Sequence, residues 1–237
     1  YFCEKSATDS LEDSRETCLV SSMKLTKFEH ACLTIENDDE VLVIDPGVFS
    51  PLRDVPKSIV AVVVTHEHSD HWTAEHLNSI LEMNPDARIL ATEATVAAAK
   101  TAGVRKDVES VTPGEEVLVG SFRLKFFGGL HAIIHSSIPQ IHNVGVLVND
   151  TLYYPGDSFY VPDTAVDFLA APASAPWMKM GETLDFIMEV KPKRVMQTHE
   201  IINSEIGNEI TRDRMRWASD QVGATFSWVE VGESLTL

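Results

Sequence analysis

Cysteine is scarce in this chain. Of 237 residues only Cys3, Cys18 and Cys32 are cysteines, and an odd number without C-x-x-C spacing argues against both a disulfide framework and a thiolate metal cluster. That usage fits a reducing cytoplasm. Long apolar runs are missing too. The longest, Ile59 to Val64, has six residues, far below the roughly 18 that a membrane-spanning helix requires. Positive charge is the third shortage: 19 Lys plus Arg against 36 Asp plus Glu give a formal charge of -17. The mean field therefore repels polyanions, which makes nucleic acid a poor partner and a small molecule a better one. No GxGxxG or GxxxxGK loop is present, so no dinucleotide or nucleoside triphosphate site is expected.

What remains is a chain with 44% hydrophobic residues, enough for one sizeable core. Residues 1–22 are rich in Ser, Asp and Glu and lack the basic start and apolar stretch of a secretory signal. They read as a leader or appended arm ahead of a natural start at Met23, the alternative being an ordinary N-terminal arm packed on the domain. Residues 23–237 read as a single domain. Short strands are expected at 24–28, 32–36, 41–45 and 60–65, with a hairpin turn at Asn37-Asp38-Asp39. Helices are expected at 73–83 and 92–101, each opening on a Thr suited to capping. A second β-rich block follows at 122–127, 143–148 and 152–154. After it come a buried strand at 168–171, a helix around Met180 to Met188, a strand at 195–198, a helix at 206–222 and a strand at 225–231. Two β-blocks, each with helices behind it, predict two sheets packed face to face with helices outside.

Chemistry concentrates where the wholly apolar, mostly β-branched run Val60 to Val64 discharges into Thr65-His66-Glu67-His68-Ser69-Asp70-His71. Imidazole and carboxylate are both good Zn²⁺ ligands. A tight turn can aim His66 and His68 at one point while Asp70 and His71 aim at another nearby, so one turn can serve two metals. A chance match to this pattern in a chain of such composition has odds on the order of one in a thousand.

This segment resembles the signature of the metallo-β-lactamase superfamily. Asp45 in Val43-Ile44-Asp45-Pro46-Gly47, His131, Gly156-Asp157 and His199 stand in the order and context that family uses. The resemblance covers nearly the whole chain from Met23. It implies an α+β fold, the αββα four-layer sandwich. Residue by residue it also implies His66, His68 and His131 on a first metal, Asp70, His71 and His199 on a second, and Asp157 bridging them. Two Zn²⁺ ions are the implied cofactors, with Mn²⁺ or Fe²⁺ acceptable to such N/O ligands. The runs Ile138 to Gly145 and Ala171 to Met178 look like the branch that contains L-ascorbate-6-phosphate lactonase, although Val146 and Gln197-Thr198 depart from its pattern.

The expected activity is hydrolysis of an ester, lactone, amide or phosphodiester by a metal-bridging hydroxide, with Asp70 or Asp157 orienting the nucleophile. Asp45 is the candidate to support a ligating imidazole from behind. His135, His142 and Tyr160 are candidate proton donors near the pocket, and Trp177 a candidate apolar wall. His30 and His76 are assigned no role. Competing readings are a non-catalytic metal scaffold of the same fold, a redox diiron protein, which would favour Glu where His68 stands, and a serine hydrolase using Ser158, for which no histidine carries Asp at the usual spacing.

Overall fold

The structure, a computed structural model, describes residues 22–50 and 55–237. The expected arm at 1–22 therefore lies, apart from its last residue, outside the described residues, as do Cys3 and Cys18. The first sheet comprises β1 (Lys24–Lys27), β2 (Leu33–Asn37), β3 (Glu40–Ile44), β4 (Ile59–Val64), β5 (Arg88–Ala91) and β6 (Glu109–Ser110). The second comprises β7 (Glu116–Val119), β8 (Phe122–Leu130), β9 (His142–Val148), β10 (Leu152–Tyr154), β11 (Phe168–Pro172), β12 (Arg194–Thr198) and β13 (Thr225–Ser227). The last strand, β14 (Ser234–Thr236), returns to the first sheet, giving seven strands in each: β14-β1-β2-β3-β4-β5-β6 and β13-β12-β11-β10-β9-β8-β7. Both sheets mix parallel and antiparallel pairs. The helices are α1 (Ala74–Met83), α2 (Glu93–Ala102), α3 (Met180–Val190) and α4 (Glu205–Gln221).

Alternation along the strands builds the layers. In β4, Ala61 and Val63 enter the core between the sheets, while Val62 and Val64 face the opposite way among Leu77, Ile80 and Leu81 of α1. In β9, Val144, Val146 and Val148 point between the sheets and Leu147 joins Phe186 and Ile187 of α3 and Met215 and Ala218 of α4. A strand buried on both faces needs apolar residues at every position, which is why Ile59–Val64 reads as a continuous run. Each Leu, Ile, Phe or Met of the helices buried in this way contributes roughly 1.5–3 kcal/mol. Thr73 and Thr92 cap α1 and α2 by accepting from the backbone N–H of His76 and Thr95. Four layers, helix–sheet–sheet–helix, result.

Four strands were not anticipated: β5, β6, β7 and β14. They are two to four residues long, and three of them sit at sheet edges; β14 pairs with the distant β1, whereas β7 pairs with its sequence neighbour β8. The expected hairpin is present, with Asn37 paired to Glu40 across Asp38 and Asp39. Among the described residues no helix is long and apolar enough to cross a membrane.

Topology brings together the turns that carry the histidines. β3 and β4 run parallel, so Asp45 and Thr65 leave the sheet side by side. β11 and β12 run parallel, with Pro172 beside Thr198, so Ser174 and His199 emerge together. The backbone N–H of Val144 bonds Thr65 O at 3.0 Å, tying the second sheet to the mouth of β4.

Candidate metal centre

Asp45, the first residue after β3, is fully buried and organises the turn that follows β4. Its Oδ1 accepts from the Thr65 backbone N–H at 2.8 Å, and its Oδ2 accepts from Thr65 Oγ1 at 2.7 Å and lies 2.7 Å from His71 Nδ1. Because the Thr65 hydroxyl hydrogen goes to Asp45, its oxygen is left to accept from His66 Nδ1, 3.0 Å away. The same device recurs elsewhere: His131 Nδ1 meets Ala132 O at 2.6 Å, and His199 Nδ1 meets Ser174 O at 2.6 Å. Four imidazoles thus anchor Nδ1 on an acceptor and turn Nε2 toward a common space, which is how ligating histidines are oriented.

That space is shared by two groups. His66, His68, His131 and Asp157 form one; His30, Asp70, His71 and His199 form the other, and within each the donor atoms all lie within 4.8 Å of one another. Asp157 spans them. Its Oδ1 lies 3.2 Å from His71 Nε2 and 3.3 Å from His199 Nε2, while its Oδ2 lies 3.3 Å from His131 Nε2 and 3.9 Å from His66 Nε2. A buried asparagine holds this carboxylate in place: Asn143 Oδ1 accepts from the Asp157 N–H at 3.0 Å, and its Nδ2 donates to Pro155 O at 2.9 Å. Gly156 between them has φ 63°, and a Cβ there would fall 2.4 Å from Asn143 Oδ1. Gly47 approaches the histidine turn so closely that a Cβ would stand 1.7 Å from the Asp70 carbonyl oxygen.

Three observations fit cations between these groups. His131 Nε2 and Asp157 Oδ1 are buried without a hydrogen-bond partner, which is costly unless something else satisfies them. Ring nitrogens of neighbouring histidines face each other, His66 Nε2 and His68 Nδ1 at 3.0 Å and His71 Nε2 and His199 Nε2 at 3.3 Å. The donors are imidazole and carboxylate throughout, a set that suits Zn²⁺ and tolerates Mn²⁺ or Fe²⁺. Without metal, the site balances its own charges. Burial alone would raise Asp157, but His71 and His199 hold its carboxyl well below the usual range. Burial would lower His199, yet Asp157 pushes it up to about 9, and His71 is likewise driven well above its ordinary value, by Asp157 and Asp45. Burial drives His66 well below, reinforced by His71.

All seven residues from the histidine turn and its distant partners meet at this place, and Asp45 contacts one of them. One correction concerns His30, which is assigned no role on its sequence context. It is buried, with Nε2 3.1 Å from Asp70 Oδ2, its ring centroid 3.7 Å from that of His199 and its carbonyl accepting from the His199 N–H at 2.8 Å. It lies in the loop between β1 and β2, and no spacing rule connects it to the turn at 66–71. Asn143 was missed for the same reason. A second correction concerns Trp177. Beyond forming a wall, its indole N–H donates to Asp157 Oδ2 at 2.9 Å. His76 bonds Pro46 O through Nδ1 at 3.0 Å, away from both groups.

Beside His131 opens a cavity of about 610 Å³, with Ser158, Tyr160 and Trp177 in its walls. His135 and His142 are exposed and do not line it; His135 Nδ1 instead meets Ser137 Oγ at 2.8 Å. Neither is placed to deliver a proton there. Ser158 donates its hydroxyl to Pro155 O at 3.1 Å rather than to a histidine, which removes the basis for a serine nucleophile.

A family model described as a beta-lactamase superfamily domain matches residues 24–199, from the first strand to the last histidine of the centre. The chain belongs to the metallo-β-lactamase superfamily. Among curated relatives of this superfamily member, Protein Rv0786c of Mycobacterium tuberculosis is 37% identical over 185 residues, covering 76% of this chain and 85% of that protein. The UPF0173 metal-dependent hydrolase MJ1163 of Methanocaldococcus jannaschii is 27% identical over 145 residues, 56% of this chain and 60% of that one. Among solved structures, Igni18, described as a metallo hydrolase from Ignicoccus hospitalis, superposes with a TM-score of 0.69 at 18% identity, covering 92% of this chain and 99% of that chain. CmlA, a diiron β-hydroxylase from Streptomyces venezuelae, superposes with a TM-score of 0.71 at 16% identity over 92% of this chain and 54% of that one. These superpositions carry the fold.

Proposed function

We propose that this superfamily member is a metal-dependent hydrolase of a small-molecule ester, lactone, amide or phosphodiester. In this reading His66, His68 and His131 hold one cation, Asp70, His71 and His199 a second, and Asp157 serves both. Asp157 carries the proposal, since its two oxygens face two separate histidine groups. A bound cation pair would supply electrophilic polarisation of the scissile group and an activated water near neutral pH. The chain's own residues do the rest. Asp45, Thr65, Ala132 and Ser174 fix the imidazole tautomers. Asp70, partly exposed beside the buried histidines, is the acceptor best placed to orient water at the second group. The cavity beside His131 receives the substrate. Zn²⁺ is the proposed metal. The name of MJ1163 as a metal-dependent hydrolase supports the reaction class.

The test is metal analysis of the purified protein combined with a chelator-controlled screen of lactones, esters, thioesters, β-lactams and phosphodiesters. Metal-dependent turnover is expected, and Asp157→Asn should lower both metal content and rate, the rate by at least about 100-fold. Metal retained in full with no turnover of any substrate would turn the protein into a scaffold. An Asp157→Asn protein with unchanged metal content and rate would remove the shared-carboxylate assignment.

A further inference from the structure

We infer that the cavity beside His131 takes the neutral alkyl or aryl part of an uncharged ester or lactone, and disfavours substrates that carry a carboxylate or phosphate on that part. This inference rests on the hydrolase reading and narrows it. Leu130, Ile133, Phe159, Tyr160 and Trp177 form the walls, and no lysine or arginine among the described residues lines the cavity. The carboxylate in its lining is that of Glu182, whose Oε2 accepts from the Lys179 N–H at 2.6 Å at the start of α3. An anionic tail along these walls would find no lysine or arginine to pair with and would meet a carboxylate.

Size and rigidity point the same way. About 610 Å³ lies within the range of pockets for drug-sized ligands, room for a medium-length acyl chain or an aryl ring. Leu130, Ile133 and Tyr160 are 53%, 66% and 44% exposed along this wall, an apolar surface of the kind that marks a ligand groove. The aromatic side is already fixed. Trp177 is tethered to Asp157 and meets Phe159 edge-on at 5.3 Å, and the Tyr153 hydroxyl donates to the backbone oxygen of Tyr160 at 2.9 Å. A wall that needs no ordering on binding loses little of the apolar gain. Because the buried His131 belongs to both the lining and the first histidine group, a tail seated in the cavity places the scissile carbonyl beside that group.

The experiment compares p-nitrophenyl acetate, butyrate and hexanoate with the mono-p-nitrophenyl ester of adipate, which matches hexanoate in length but ends in a carboxylate, using the metal-loaded protein. kcat/KM should rise about two- to fourfold per methylene from acetate to hexanoate, and the adipate ester should fall at least about tenfold below hexanoate. Tyr160→Arg, at an exposed position, should narrow that gap. An adipate ester processed as well as hexanoate, or no gain with chain length, overturns the inference. Should none of these esters be hydrolysed, the hydrolase reading is decided separately by the wider substrate screen, and calorimetric titration of the metal-loaded protein with 4-phenylbutanol decides the cavity. Binding that weakens in Leu130→Asp supports the apolar assignment, and absence of binding overturns it.

Discussion

The two histidine groups share Asp157 yet are built by different means. The first, His66, His68 and His131, has one side on the cavity, and His68 is only partly buried. The second, Asp70, His71 and His199 with His30, is backed by the buried Asp45 and by Phe49, whose ring meets His30 edge-on at 5.2 Å. Around the second group, Asp45, His30 and His199 all take left-handed backbone, with φ of 46°, 61° and 65°. Each such residue costs on the order of 1 kcal/mol or more and persists only where the surroundings over-determine it. Here Asp45 is held by Thr65 and His71, and His30 and His199 by their mutual backbone bond. Burial does not separate the groups, since each has one half-buried member, His68 in the first and Asp70 in the second; they differ in that the second rests on left-handed backbone while the first borders the cavity.

That contrast can be broken or sharpened experimentally. Asp45→Asn keeps the side-chain size but removes the charge behind His71. It should weaken metal binding at the second group about 10- to 100-fold and the first group less, through Thr65 and His66, as read by stepwise metal titration. Trp177→Phe keeps a ring in the cavity wall but loses the N–H to Asp157 Oδ2. About a tenfold fall in kcat is expected, with the preference among ester chain lengths kept; a loss of that preference without a fall in kcat would place Trp177 with the wall alone. His30→Ala should weaken the second group a few-fold, an effect expected to be smaller because Asp70 and His199 keep other partners.

The smallest effect is in stability against pH. His199 is raised to about 9 in the metal-free fold, because Asp157 outweighs burial, against an unfolded value of roughly 6.5. Its protonated form is therefore favoured by folding. The contribution is complete below about pH 6.5 and is lost as pH rises toward 9. Thermal melts of chelator-stripped protein should fall by a few degrees over that window. Metal-loaded protein should not follow, since ligation already requires the neutral ring. Parallel curves for the two forms would contradict the coupling between His199 and Asp157.

Much of the site was legible from the residues alone because its densest part is local: His66, His68, Asp70 and His71 follow an apolar strand within one turn, so adjacency in sequence is adjacency in space. The helices at 74–83 and 93–102 were legible for a similar reason, their periodicity and Thr caps being short-range signals. β5, β6, β7 and β14 were not: all four are short, and β5, β6 and β14 take their identity from partners elsewhere in the chain. His30, Asn143 and the Trp177 hydrogen bond were invisible on the same ground. Each acts on a residue 14 to 169 positions away, and nothing in the local pattern distinguishes it from a packed side chain.

By itself the sequence determined the alternation that layers two sheets between helices, and a turn whose imidazoles and carboxylate suit metal ions. Only the tertiary structure decided that Asp157 faces both histidine groups, that His30 completes the second, and that an apolar cavity free of lysine and arginine among the described residues borders the first. The reason is that periodicity and ligand spacing are properties of neighbouring residues. The direction of a carboxylate's two oxygens and the walls of a cavity are set by strands paired and sheets stacked across the whole chain.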